Sequence, residues 1–111
     1  MISTHVLDTA RGVPAAGVRV VLERVEAGRI HEISRSATDE DGRVRELVST
    51  GTTPGAGRYR LTFDTGSYFA TLGVEAFYPS VAIVFEIRDV TQHYHVPLLL
   101  SPYGYSTYRG S

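Results

Sequence analysis

Between Arg58 and Asp64 the chain sets Tyr59, Leu61 and Phe63 against Arg58, Arg60 and Thr62. A period of two places one set on each face of an extended strand, so the segment belongs half-buried in a sheet. The same period recurs along the chain. In Ile2–Asp8, Ile2, Thr4 and Val6 share a face and His5 takes the other. In Val18–Val25, Val18, Val20 and Leu22 oppose Arg19, Glu23 and Val25. Ile30–Thr38 reads as a third strand, and Arg43 opens a fourth over Val44–Val48. Val81–Ile87 is apolar almost throughout and reads as a central strand, followed by strands over His93–Leu100 and Tyr105–Arg109. Turn residues punctuate the series: Gly12, Pro14 and Gly17; Ala27-Gly28; Asp39–Gly42; Ser49–Gly57; Asp89–Gln92; Ser101-Pro-Tyr-Gly104. Thr65-Gly-Ser67 resembles an N-cap, so a short helix is expected over Tyr68–Leu72. Seven or eight short strands at this spacing predict an all-β sandwich rather than a βαβ fold.

At 111 residues there is room for one domain, expected to span 1–111, and its composition of 42% hydrophobic and 21% charged residues is ordinary for a globular protein. A net charge of −1 argues against a nucleic-acid surface. Every basic residue is Arg, which excludes Schiff-base chemistry on lysine, and the lack of Cys excludes thiolate nucleophiles and Cys-ligated zinc. No apolar run is long enough to cross a membrane. The first strand begins at once, which leaves no room for a signal peptide, so a cytoplasmic address is expected.

The chemistry-bearing residues gather toward the end, in His93-Tyr-His-Val-Pro-Leu-Leu-Leu-Ser-Pro-Tyr-Gly-Tyr-Ser-Thr-Tyr-Arg-Gly-Ser111. Chain ends usually fray. An end this rich in aromatic and β-forming residues is expected to be buried, with Arg109, Ser111 and the terminal carboxylate held against something. His93 and His95 share parity and project to one face, a spacing that suits a metal if His5 supplies a third ligand. The plainer alternative leaves His93 in solvent and only His95 in a site, with His5 an edge histidine. Arg43 follows an Asp-Gly turn and could be a solvated arginine. Asp39-Glu-Asp41-Gly42 resembles the start of a calcium loop, but the twelfth position is Thr50 instead of a bidentate Glu. No Gly-x-Ser-x-Gly elbow activates Ser111. Two histidines with one or two arginines would nevertheless suffice to activate water and stabilise an oxyanion without metal or nucleophile.

Over essentially its whole length the chain resembles the 5-hydroxyisourate hydrolases, or transthyretin-related proteins. The resemblance rests on Ser3-Thr-His-Val-Leu-Asp8, Thr38-Asp-Glu-Asp-Gly-Arg43, Gly57-Arg-Tyr-Arg60 and above all the closing stretch, whose Tyr108-Arg109-Gly110-Ser111 is the family's enzyme signature. It implies a transthyretin-like β-sandwich of two four-stranded sheets with one short helix. It also implies a homotetramer, a dimer of dimers, with sites in a central channel. Catalytic roles would fall on His5, Arg43, His95 and Ser111, and substrate binding on His5, Arg43 and Tyr108–Ser111. No metal or cofactor is implied. The expected reaction hydrolyses the acyl-urea bond of 5-hydroxyisourate to a ureidoimidazoline. One of His5 and His95 would take the proton of water and the other would orient it. Arg43 would recognise the ureide and its oxyanion, and Arg109 and Ser111 would close the site. The rival reading is a carrier like transthyretin, which binds thyroid hormones on the same fold. Such carriers share Leu-Leu-Ser-Pro-Tyr and Tyr-Ser-Thr but lack the site histidines and the Arg-Gly-Ser ending. A generic immunoglobulin-like interaction module would explain only the strands.

Overall fold

The computed structural model describes residues 1–48 and 55–111. The described residues form nine strands and one helix: β1 Ile2–Asp8, β2 Val13–Pro14, β3 Arg19–Glu26, β4 Arg29–Ala37, β5 Arg43–Val44, β6 Gly57–Phe63, α1 Thr65–Thr71, β7 Val81–Ile87, β8 Tyr94–Ser101 and β9 Gly104–Thr107. They make two sheets. One runs β4-β3-β6-β7. The other runs β2-β1-β8-β9, with β5 also paired to β1, so it has five strands, two of them only two residues long.

Alternation decides what lies between the sheets. Ile2, Val6, Val96, Leu98 and Leu100 from one sheet meet Val20, Leu22, Tyr59, Leu61, Phe63, Val81 and Ile87 from the other, all buried. Burying such side chains contributes roughly 1.5–3 kcal/mol each, which is how a chain without disulfides holds together. Thr4 also faces inward, and its hydroxyl donates to the Val96 carbonyl at 2.6 Å. Asp8 ends β1 fully buried. Its carboxylate accepts from the Tyr68 hydroxyl at 2.8 Å and from the backbone amides of Ala10 and Arg11 at 3.1 Å, tying α1 to the end of β1.

Five sequence-based expectations differ from the structure. In place of the two four-stranded sheets that the resemblance implied, the pairing of the short β2 and β5 with β1 makes one sheet five-stranded. The strand expected over Val44–Val48 stops after Val44, because beyond Arg45 a side chain replaces the ladder. The Glu46 carboxylate accepts from the backbone amides of Ile2 and Val48, both at 3.2 Å, while Leu47 N–H donates to the Ile2 carbonyl at 2.9 Å. The helix starts at Thr65, since the cap is the Asp64 carboxylate, which accepts from Ser67 N–H. β7 is an edge strand, not a central one: it pairs only with β6, and Val84 is 58% exposed. The closing stretch is buried only through Leu100. β9 is also an edge, and Tyr105, Tyr108, Arg109 and Ser111 are exposed in the protomer. Of the Ser49–Gly57 loop, residues 49–54 lie outside the described residues and Gly57 opens β6.

The turn before β5 sets where Arg43 stands. Gly42 has φ +74° and packs so closely on β1 that a Cβ would lie 2.5 Å from the Val6 carbonyl oxygen. That carbonyl accepts from Ala15 N–H, while Val6 N–H donates to the Gly42 carbonyl. Asp39 closes the turn by accepting from the amides of Asp41 and Arg43. Gly42→Ala should therefore cost at least about 1–2 kcal/mol from the left-handed backbone alone, visible as a lower urea midpoint. An unchanged midpoint would show that the turn is not held as described.

A polar candidate active site on the outer face of the β1–β8 pair

β1 and β8 run parallel, with Ser3 opposite His95 and His5 opposite Pro97, while β5 on the other side of β1 sets Arg43 opposite His5. Residues whose neighbours face the core therefore face outward together: Ser3 and His5 from β1, His95 from β8, and Arg43 from β5. A cavity of about 270 Å³ opens on this face, lined by Ser3, Thr4, Arg43, Arg45, His93, His95 and Ser111 but not by His5. That is at the small end for a ligand site. A larger cavity of about 480 Å³ over β3 and β4 holds Arg19, Arg35 and Asp64, but these are already ion-paired: Arg19 with Asp64, and Arg35 with Glu32. The cavity on the β1–β8 face is where imidazoles and a guanidinium converge.

Within it the Ser3 hydroxyl lies 2.8 Å from His93 Nε2 and 2.7 Å from His95 Nδ1. The other ring nitrogen of His95, Nε2, has no hydrogen-bond partner among the described residues. The reading that left His93 in solvent is half right: its side chain is exposed but bonded to Ser3. No three His, Asp or Glu side chains among the described residues are grouped to hold a metal ion, so the zinc arrangement of His5, His93 and His95 finds no support in the geometry.

Electrostatics favour the neutral form of His95 and His5. Burial and then the Arg43 charge push His95 below the ordinary imidazole value, with His5 and His93 adding to the effect. Burial and Arg43 also lower His5, opposed by a backbone interaction with Asp41 and by the Asp39 and Asp41 carboxylates. A neutral imidazole beside a fixed positive charge is what a water-activating base requires.

The closing tetrapeptide divides. Gly110 N–H donates to the His95 carbonyl at 2.8 Å, an isolated antiparallel bridge. Here a Cβ would come within 2.5 Å of His95 Cδ2 and 3.3 Å of Pro97 Cγ, so only glycine lies flat against the ring. Ser111 reaches the cavity. Arg109 does not: its guanidinium sits 4.5 Å above the Tyr94 ring and donates to Gln92 Oε1 at 2.9 Å. Tyr94 is itself fixed, its hydroxyl donating to the Asp89 carbonyl and accepting from the amides of Arg88 and Asp89. In the protomer Arg109 thus anchors the tail that lays Gly110 on His95, and Tyr108 is exposed. Sequence reasoning passed over Ser3. The available signal was its parity with His5, which places it on the same face.

A family model described as HIUase/Transthyretin family matches residues 2–110. The chain belongs to that family. A curated relative, the 5-hydroxyisourate hydrolase 2 of Rhizobium meliloti, is 49% identical over 99% of this chain and 95% of its own length. Among solved structures, the 5-hydroxyisourate hydrolase of Klebsiella pneumoniae is 42% identical with a TM-score of 0.86, covering 99% of this chain and 98% of its own. Sea bream transthyretin in complex with thyroxine is 31% identical with a TM-score of 0.89, covering 98% and 93%. The transthyretin-like sandwich anticipated from sequence is the observed fold. Backbone similarity does not separate the hydrolase from the thyroxine-bound transthyretin, which superposes at least as well. The side chains on the β1–β8 face must decide.

Arg43→Gln removes the one guanidinium named as lowering both histidines. In an NMR titration His5 and His95 should both move up toward the ordinary value of about 6.5. If neither moves, Arg43 is not the electrostatic centre of the site.

Proposed function

We propose that this chain hydrolyses 5-hydroxyisourate, and that His95 is the general base. The carrying observation is the unpartnered Nε2 of a cavity-lining imidazole next to Arg43. Identity to hydrolases of the family supports the substrate. In this reading His95 Nε2 takes a proton from water as the oxygen attacks the ring carbonyl of the acyl-urea. The carbonyl oxygen becomes an oxyanion facing the Arg43 guanidinium, whose planar fork suits a ureide. Collapse breaks the carbon–nitrogen bond and the imidazolium returns its proton to the leaving nitrogen, so one water is consumed and the ring opens. His5, opposite Arg43 across the β1–β5 pair, orients Arg43 and the bound ureide. Ser111 closes the cavity, and Tyr108 and Arg109 serve substrate binding by holding Gly110 and Ser111 in place.

The same reading includes a homotetrameric dimer of dimers in the cytoplasm. Two exposed edge strands, β7 and β9, and the exposed side chains of Val84, Phe77, Tyr103 and Tyr105 support self-association. Sedimentation equilibrium should return four times the protomer mass; a monomer would refute this part. The alternative, a thyroid-hormone-type carrier without catalysis, has the shared sandwich in its favour. Against it stands the cavity, whose convergent groups are imidazoles, a guanidinium and hydroxyls instead of an apolar lining.

The test is the ultraviolet decay of 5-hydroxyisourate generated in place from urate by urate oxidase, with its spontaneous decay as the control. The protein should accelerate it, and His95→Ala should lose on the order of 10²–10⁴-fold in rate. Because the folded pKa of His95 lies below its ordinary value, the base stays neutral further into acid. The acidic limb should then fall below about pH 6.5. Gly110→Ala should also lower kcat by pressing on the ring. No acceleration together with tight thyroxine binding would replace the hydrolase by the carrier.

A further inference from the structure

Ser3 lies between two imidazoles, and a hydroxyl has one proton to give. Its oxygen is 2.8 Å from His93 Nε2 and 2.7 Å from His95 Nδ1, both within hydrogen-bond range. A neutral imidazole carries one N–H and one lone pair, so the two rings cannot choose tautomers independently. If Ser3 donates to His95, then His93 Nε2–H must donate to Ser3, and Nε2 of His95 holds a proton and cannot act as a base. If Ser3 donates to His93, then His95 Nδ1–H donates to Ser3, and His95 Nε2 is bare. Ser3 is only 7% exposed, so water does not readily take the place of either partner. His93, by contrast, is exposed.

Resting on the hydrolase reading, we propose that Ser3 is a positioning residue that joins His95 and His93 into a single proton relay ending in solvent. The working arrangement is His95 Nδ1–H to Ser3 Oγ, and Ser3 Oγ–H to His93 Nε2. When His95 Nε2 takes the proton of the attacking water, Nδ1–H passes its proton to Oγ as Oγ–H passes its own to His93 Nε2. Oγ gains one bond to hydrogen and loses one, His95 exchanges Nδ1–H for Nε2–H, and the proton with its positive charge ends on the exposed His93 ring. The return transfer restores His95 as the imidazolium that donates to the leaving nitrogen. His93 thus holds the proton during attack. The charged and titratable groups that act on His95 are Arg43 from β5, His5 from β1 and His93 just before β8, and Arg45 and the terminal Ser111 share its cavity.

The relay is tested with Ser3→Ala, Ser3→Thr, His93→Gln and the Ser3→Ala/His93→Gln double variant, in two readouts. Long-range proton–nitrogen NMR of the histidine rings reports the tautomers without any turnover. Wild type should show His95 protonated on Nδ1 at neutral pH, Ser3→Ala should lose that preference, and Ser3→Thr should keep it because the hydroxyl remains. In the hydroxyisourate assay Ser3→Ala should lower kcat on the order of 10²-fold and shift the acidic limb of the pH profile. KM should stay within about twofold, the pattern expected when an interaction acts in the transition state. Ser3→Thr should restore most of the rate. The double variant should be no slower than Ser3→Ala alone, since both changes break one chain. The proposal is overturned by a His95 already protonated on Nε2 in wild type, by an unaltered rate and pH profile in Ser3→Ala, or by losses that multiply in the double variant. Should the wild-type protein fail to accelerate decay at all, the hydrolase reading falls, while the NMR spectrum still decides the hydrogen-bonded chain.

Discussion

The parallel pairing of β1 with β8 is the constraint on which the rest of the molecule depends. It places Ser3 opposite His95 and Thr4 opposite Val96. A slip of one residue would exchange the two faces of β1. Ile2, Val6 and Thr4 would turn out toward solvent, and Ser3 and His5 would enter an apolar core with no partners. The register is defended from both sides. Core burial of Ile2 and Val6, each fully inaccessible, resists the slip from within, and the Thr4 hydroxyl is bonded to the Val96 carbonyl. From without, Ser3 spans the two strands by touching both histidines. The same alternation that builds the sandwich therefore builds the polar site.

Much of this could be read from the residues because it depends on parity alone. His5 opposite to Ile2, Thr4 and Val6, and His95 out of phase with Val96 and Leu98, follow from a period of two. The short helix and the turn that delivers Arg43 follow from local turn chemistry. What escaped depends on pairing across long sequence separations. The apolar content of Val81–Ile87 does not reveal that only β6 flanks it. Glu46 ends β5 through bonds to the amides of Ile2 and Val48, the first far away in sequence. Arg109 belongs to a recognisable signature, yet its position over Tyr94 is set by the fold of Asp89–Tyr94 around the tyrosine hydroxyl. Ser3 escaped for another reason. A serine on a strand is chemically silent until the two side chains that contact it are known.

The fold itself is neutral as to function. Hydrolase and thyroxine-binding relatives share it at nearly equal TM-scores of 0.86 and 0.89. In this chain the outward side chains of one sheet gather the site, where burial and Arg43 hold His95 and His5 toward the neutral form. Arg43 is well suited to that task. Its guanidinium lines the cavity in which the proposed reaction would develop an oxyanion. Gly110 completes the arrangement by leaving room for the His95 ring where any side chain would displace it.

The most direct test is a crystal structure with a planar, non-hydrolysable cyclic ureide bound. The account predicts the ligand in the cavity over β1 and β8, a ring carbonyl against the Arg43 guanidinium and a water within hydrogen-bond distance of His95 Nε2. A ligand seated elsewhere, with His95 Nε2 turned away from it, would contradict the assignment of this face as the active site.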